Sequence, residues 1–146
     1  MADVFEYTFS ESNHYPYKAR VELRPLEGHT NVFGVDFVTV PLLHGTLETV
    51  GFRFGTAAYL TDMSDIPEAS FSLLQNLDIL ILDALRRTPH PSHSNLETSL
   101  KFVEKIRPKR AYFTHIAHEL GHVETESELP ANVHMAYDGL RIPFEL

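Results

Sequence analysis

Residues 77–114 read "LDILILDALRRTPHPSHSNLETSLKFVEKIRPKRAYFT", and the fold turns on how this run is divided. Its first part, "LDILILDA" at 77–84, is almost continuously apolar until Asp83, the pattern of a strand covered on both faces. The segment "SNLETSLKFVEKIRPK" at 94–109 offers Ser94 as an N-cap with Glu97 three residues on, a capping box. It places Leu96, Leu100, Val103 and Ile106 on one stripe and stops at Pro108, so a helix is predicted there. "RAYFT" at 110–114 returns to a strand pattern. Strand, helix and strand of these lengths make a parallel crossover unit, with both strands ending on the same edge of a sheet.

Working upstream, "SDIPEASFSLLQN" carries Glu68 in its first turn and apolar Phe71, Leu73 and Leu74, which predicts a short helix. Before it, "VFGVDFVTVPL", "ETVGFRF" and "AAYLTD" are short runs of β-branched and aromatic residues with glycine-containing breaks, read as consecutive strands. In the first 30 residues only "RVELRPL" alternates like a strand, and Pro16, Pro25 and Gly28 interrupt the rest. Downstream, a short helix or loop follows His115, and "NVHMAYDGLRIPF" reads as two strands around a turn at Asp138-Gly139. The expected order is four strands, helix, strand, helix, strand, a short helix or loop, and two final strands.

A chain of 146 residues with 43% hydrophobic and 22% charged residues suffices for one domain with a single core. Its formal charge of -8 argues against capture of nucleic acid or of an anionic membrane surface, either of which calls for a concentrated basic patch. There is no cysteine, which excludes thiolate metal sites and a cysteine nucleophile. Any metal must be held by His, Asp or Glu. The opening "MADVFEYTF" lacks a signal-peptide pattern and no long apolar run occurs, so a cytoplasmic setting is expected.

The polar candidates fall at strand ends. His44 follows "FVTVPLL", Asp62 follows "AAYLT", Asp83 closes "LDILIL", His115 follows "RAYFT", and Asp138 follows "NVHMAY". Ligands of sheets with helical crossovers gather at such ends, so residues distant in sequence can converge there. Each has a plainer reading as a turn former or cap. Asp83 either orients a metal ligand or satisfies backbone donors at the end of its strand. His90 is a group behind the ligands or a solvated loop histidine. The sequence also contains His118-Glu119-Leu120-Gly121-His122, the H-E-x-x-H pattern of zinc peptidases, which works only when a helix presents both histidines on one face. Gly121 interrupts it and no third ligand is spaced for it, so His118 is placed at the edge of a site and His122 on the surface.

The ordered segments "PLLHG", "YLTDMSDIP", "ILDALRRTPHPSHSNLE", "YFTHIAHEL" and "AYDGL" resemble the C-terminal half of the metallo-β-lactamase superfamily of hydrolases. The subgroup most resembled includes the cyclic-phosphate phosphodiesterase of the carbon-phosphorus lyase pathway. The resemblance runs from about Val32 to the end and takes in the first 31 residues more loosely. It implies an α+β fold, half of an αββα sandwich, with antiparallel strands followed by β-α-β-α-β units in one mixed sheet.

By the same resemblance, His44 corresponds to a ligand of one metal of a dinuclear pair, Asp62 to the bridging carboxylate, and His115 to a ligand of the second metal. His93 corresponds to a histidine that acts as general acid or contacts the substrate phosphate. One or two divalent ions, zinc or manganese, are implied, and two such ions can clamp both oxygens of a phosphoryl transfer. The family's His-x-His-x-Asp-His motif does not occur in the 146 residues. The chain is therefore expected to be one partial domain over 1–146, through truncation, a misplaced start or fragmentation. The expected function is hydrolysis of a small phosphodiester by an incomplete dinuclear site. The alternatives are a silent metal-binding or oligomerisation module and, least favoured, a peptidase. A half sandwich leaves one sheet face uncovered, so a homodimer is expected to cover it.

Overall fold

The computed structural model describes residues 21, 22 and 24–144. Among them seven strands form one mixed sheet, in the order β1 (His29–Val32), β2 (Val35–His44), β3 (Leu47–Phe54), β4 (Ala57–Leu60), β5 (Ile79–Asp83), β6 (Arg110–Thr114) and β7 (Val133–Met135). The first three pairings, β1 to β4, are antiparallel, and the next three, β4 to β7, are parallel. A 3-10 helix (Glu68–Leu74) joins β4 to β5, helix α1 (Leu96–Ile106) joins β5 to β6, and helix α2 (His122–Glu128) joins β6 to β7. This is the mixed α+β architecture expected from the sequence.

Strand β5 is apolar throughout because both of its faces are covered. Leu80 and Leu82 enter the main core with Val40, Leu42, Leu60, Phe102, Val103 and Phe113 on the helix side. Ile79 and Ile81 face the other way, with Ala57, Tyr112 and Phe54. Part of that second face is covered by the chain itself, since Ala136, Leu140 and Ile142 pack on it. The bare sheet face expected of a half sandwich is to that extent closed. Strands β3 and β4 approach tightly at Gly51, where a Cβ would come within 2.6 Å of a Leu60 methyl and 2.9 Å of the Tyr59 carbonyl oxygen.

Four local expectations are corrected. The run 32–42 is not one strand: Phe33 and Gly34, at φ 52° and 85°, turn the chain between β1 and β2, and the Asn31 side chain accepts from the Gly34 N–H. The N-cap of α1 is Asn95, whose side chain accepts from Thr98 N at 3.0 Å. Ser94 is taken up elsewhere, donating to the Asp83 carbonyl, and Glu97 pairs with Lys101 on the exposed face, so the capping box does not form. Only Val133–Met135 of the final segment is a strand, because after the turn at Gly139 the residues Leu140 and Ile142 pack as a covering segment instead of pairing. Within "RVELRPL" the described residues are not in a strand, while Arg20 and Leu23, like His14, lie outside the described residues.

Candidate metal centre

Strand directions explain why distant residues meet. Because β3 runs opposite to both β2 and β4, strand β2 points the same way as β4, β5 and β6. The C-terminal ends of these four strands therefore lie on one edge, and His44, Asp62, Asp83 and His115 leave from them. His44 stands at the tip of the β2–β3 hairpin. The Gly45 N–H donates to Ser64 Oγ at 2.9 Å, and Ser64 donates to the Leu43 carbonyl, which ties this tip to the loop carrying Asp62. At His115 the backbone takes φ 57°, an uncommon conformation for a side-chain-bearing residue, and the chain breaks out of β6 there.

His93 occupies the middle of the group. It lies on the loop between β5 and α1, which is stapled by backbone bonds from Leu85 N to Ser94 O and from Ser94 N to Met63 O. Its Nδ1 is 3.3 Å from Asp83 Oδ2 and 3.5 Å from Asp62 Oδ1, and its Nε2 is 3.3 Å from His44 Nε2. The Nδ1 proton belongs between His93 and Asp83, which leaves Nε2 to accept from His44 while His93 is neutral. The His93 ring stacks on His115 at 4.6 Å, and His115 Nε2 reaches Asp62 Oδ1 at 3.2 Å.

Asp83 is fully buried, 0% exposed. Its Oδ2 accepts from the Met63 N–H at 3.0 Å, while Oδ1 is buried with no partner among the described residues. Burial holds its carboxyl above the usual carboxylate range. The Met63 N–H, His93 and His115 act against that rise, and Asp62 adds to it. The Asp83 carbonyl accepts from both Ser94 and Ser99, which fastens the end of β5 to the first turns of α1.

Ligand-capable atoms of Asp62, Asp83, His93 and His115 all lie within 4.8 Å of one another. Two imidazoles and two carboxylates are a donor set suited to zinc, and a buried carboxylate oxygen without a partner is the kind of atom that a cation satisfies. The residues present thus fit a divalent ion. Asp83, which the sequence reads as a group behind the ligands or an acceptor for backbone donors, takes the Met63 N–H, lies against His93 and also stands among these candidate donors. His90 sits over the same group with its ring 5.0 Å from that of His93. Burial lowers its pKa, and Arg86, His93 and His44 lower it further.

Not every candidate joins the group. His118 is exposed in a turn, His122 is the first residue of α2, and no helix presents the two together. The helical geometry that a peptidase reading needs is missing. Asp138 lies exposed in the turn before Gly139. Arg87 pairs with Glu128 at 2.9 Å, and Arg86 holds carbonyls of its own loop.

Comparison with known proteins gives the family and the fold. A model of the beta-lactamase superfamily domain matches residues 1–116. The crystal structure of a diphosphatase from the PhnP family superposes with a TM-score of 0.88 at 47% identity, over 99% of this chain and 54% of that one. The metallo-β-lactamase fold protein YhfI from Bacillus subtilis shares the fold at a TM-score of 0.65 and 16% identity, covering 82% of this chain and 54% of that one. An octanoyltransferase of Porphyromonas gingivalis (strain ATCC BAA-308 / W83) is 31% identical over 142 residues, which are 94% of this chain and 29% of that protein. The chain thus spans about half the length of these solved relatives and under a third of the curated one. The resemblance read from the strand-end motifs is borne out, and the chain belongs to the metallo-β-lactamase superfamily of hydrolases.

Proposed function

We propose that this chain carries the strand-end part of a metal-dependent site that hydrolyses a phosphoric ester or anhydride, a small phosphodiester or diphosphate, in the cytoplasm. The carrying observation is the meeting of His44, Asp62, Asp83, His93 and His115 at one sheet edge. The likeness to a PhnP-family diphosphatase supports the phosphoryl substrate class. Octanoyl transfer is not carried over, because the matched segment is only 29% of the protein that bears that name.

In this reading His44, Asp62 and His115 would hold one or two ions, zinc or manganese. A bound ion would supply polarisation of a phosphoryl oxygen and a more acidic water. The chain's own residues do the rest. Asp83 fixes the His93 ring through Nδ1, so a doubly protonated His93 presents Nε2–H and can give that proton to a departing oxygen. Asp83 is closed to bulk water, and the Ser94 and Ser99 hydroxyls donate to its backbone carbonyl, which anchors the end of β5 behind the site.

A second reading is a module that holds metal without turnover. It is favoured by the donor group, which among the described residues numbers four side chains where two ions would need more. Bis(4-nitrophenyl) phosphate and pyrophosphate should be cleaved feebly, and only with added zinc or manganese. Metal binding without any cleavage would favour the second reading, and cleavage unaffected by a chelator would contradict both.

A homodimer belongs to the same proposal. The second sheet face carries Phe37, Phe52 and Phe54, with Tyr59 and Phe144 each about two-fifths exposed. Exposed aromatic surface of this kind is commonly covered by a partner. A specific dimer should bury more than about 1,000 Å² in total. Light scattering is expected to give twice the chain mass, and a monomer at micromolar concentration would contradict it.

A further inference from the structure

The loop Arg86–His93 differs in charge from the rest of the molecule. The chain carries 20 acidic residues, yet from Ala84 to Leu96 there is none, while Arg86, Arg87, His90 and His93 all fall there. The loop is also preset. Arg86 donates through Nε to the Thr88 carbonyl at 3.2 Å and through a terminal nitrogen to the Pro89 carbonyl at 2.9 Å, and Pro89 and Pro91 restrict the backbone on either side of His90. The hairpin tip at Gly45 lies against it, where a Cβ would come within 3.3 Å of the Pro91 carbonyl oxygen.

Within this frame the His90 ring has a defined polarity. The Ser92 N–H donates to His90 Nδ1 at 3.3 Å, so Nδ1 carries the lone pair and the proton of the neutral ring is on Nε2. Among the described residues Nε2 meets no acceptor, and the ring stands beside His93. A fixed N–H donor next to the residue assigned as acid, on a basic loop of an acidic protein, is placed to meet an anion that His93 does not itself hold.

We propose that His90 is a specificity-determining residue whose Nε2–H binds an oxygen of the leaving-side phosphoryl group, favouring diphosphates over substrates with an uncharged leaving group. This rests on the phosphoryl-hydrolase reading above. Arg86 serves it as a tether that keeps the loop in shape.

The test uses the whole 146-residue chain with equimolar zinc and two probes, pyrophosphate and inorganic phosphate. Nitrogen-15 NMR of the imidazoles should find neutral His90 as the Nε2–H tautomer and show its Nε2 resonance moving on addition of pyrophosphate. His90→Ala should weaken pyrophosphate binding about tenfold, the size of one hydrogen bond to a charged group, and leave inorganic phosphate within about twofold. His90→Gln, which keeps an N–H at similar reach, should recover most of the loss. An Nδ1–H tautomer, or pyrophosphate binding equal in wild type and His90→Ala, would overturn the assignment of His90 alone. Failure of the wild-type chain to bind either anion would overturn the phosphoryl reading and this inference with it.

Discussion

His115 and His118 are three residues apart in the sequence and belong to different structural worlds. His115 is the first residue after β6, a strand paired with parallel neighbours on both sides; its side chain is 39% exposed, yet it stacks on His93 and reaches Asp62. His118 stands exposed in the turn that follows. The first is held by the sheet, and the second only by a short loop. A ligand must be presented within tenths of an ångström, so the element that carries a histidine matters more than the motif that it spells.

The difference can be broken by substitution. Asp62→Ala is expected to have the largest effect, since Asp62 lies within ion-pair distance of both His93 and His115. Zinc affinity should fall by more than the roughly 100-fold that loss of a supporting group can cost, as read by competition with a chromogenic chelator. His115→Ala should weaken zinc by about 10- to 100-fold, while His118→Ala changes it by less than about twofold. Equal effects of the two histidine variants would erase the contrast.

Much of this was legible in the sequence. The apolar run of β5, the stripe of α1 and the strand pattern of β6 placed Asp83 and His115 on one edge, and the strand patterns that run into His44 and Asp62 added those two. The rest depended on contacts that no local pattern encodes. Asn95 caps α1 because the Ser94 hydroxyl is drawn to the Asp83 carbonyl, and Leu140 and Ile142 cover the sheet instead of extending it. The unpartnered oxygen of Asp83 and the tautomer of His90 follow from packing between segments that only the folded chain brings together.

Two smaller effects sharpen the picture on the side of the sheet. Asp83→Asn removes a buried carboxylate that has one oxygen without a partner among the described residues, so the metal-free chain should gain about 1 kcal/mol, or about 3 °C in Tm, while losing zinc affinity. Opposite signs for stability and binding mark a site residue; a loss of both would make Asp83 structural. Ser99→Ala removes one donor to the Asp83 carbonyl from the buried face of α1, and calorimetry should register a loss of about 1 kcal/mol.

The central claim is that the strand ends, and not the H-E-x-x-H segment, hold the metal. Anomalous diffraction at the zinc edge from crystals of the chain grown with zinc tests it most directly. The account predicts anomalous density bounded by Asp62, His115 and their neighbours His44, Asp83 and His93. A peak held by His118 and His122 with Glu124, Glu126 or Glu128, and none at the strand ends, would contradict it.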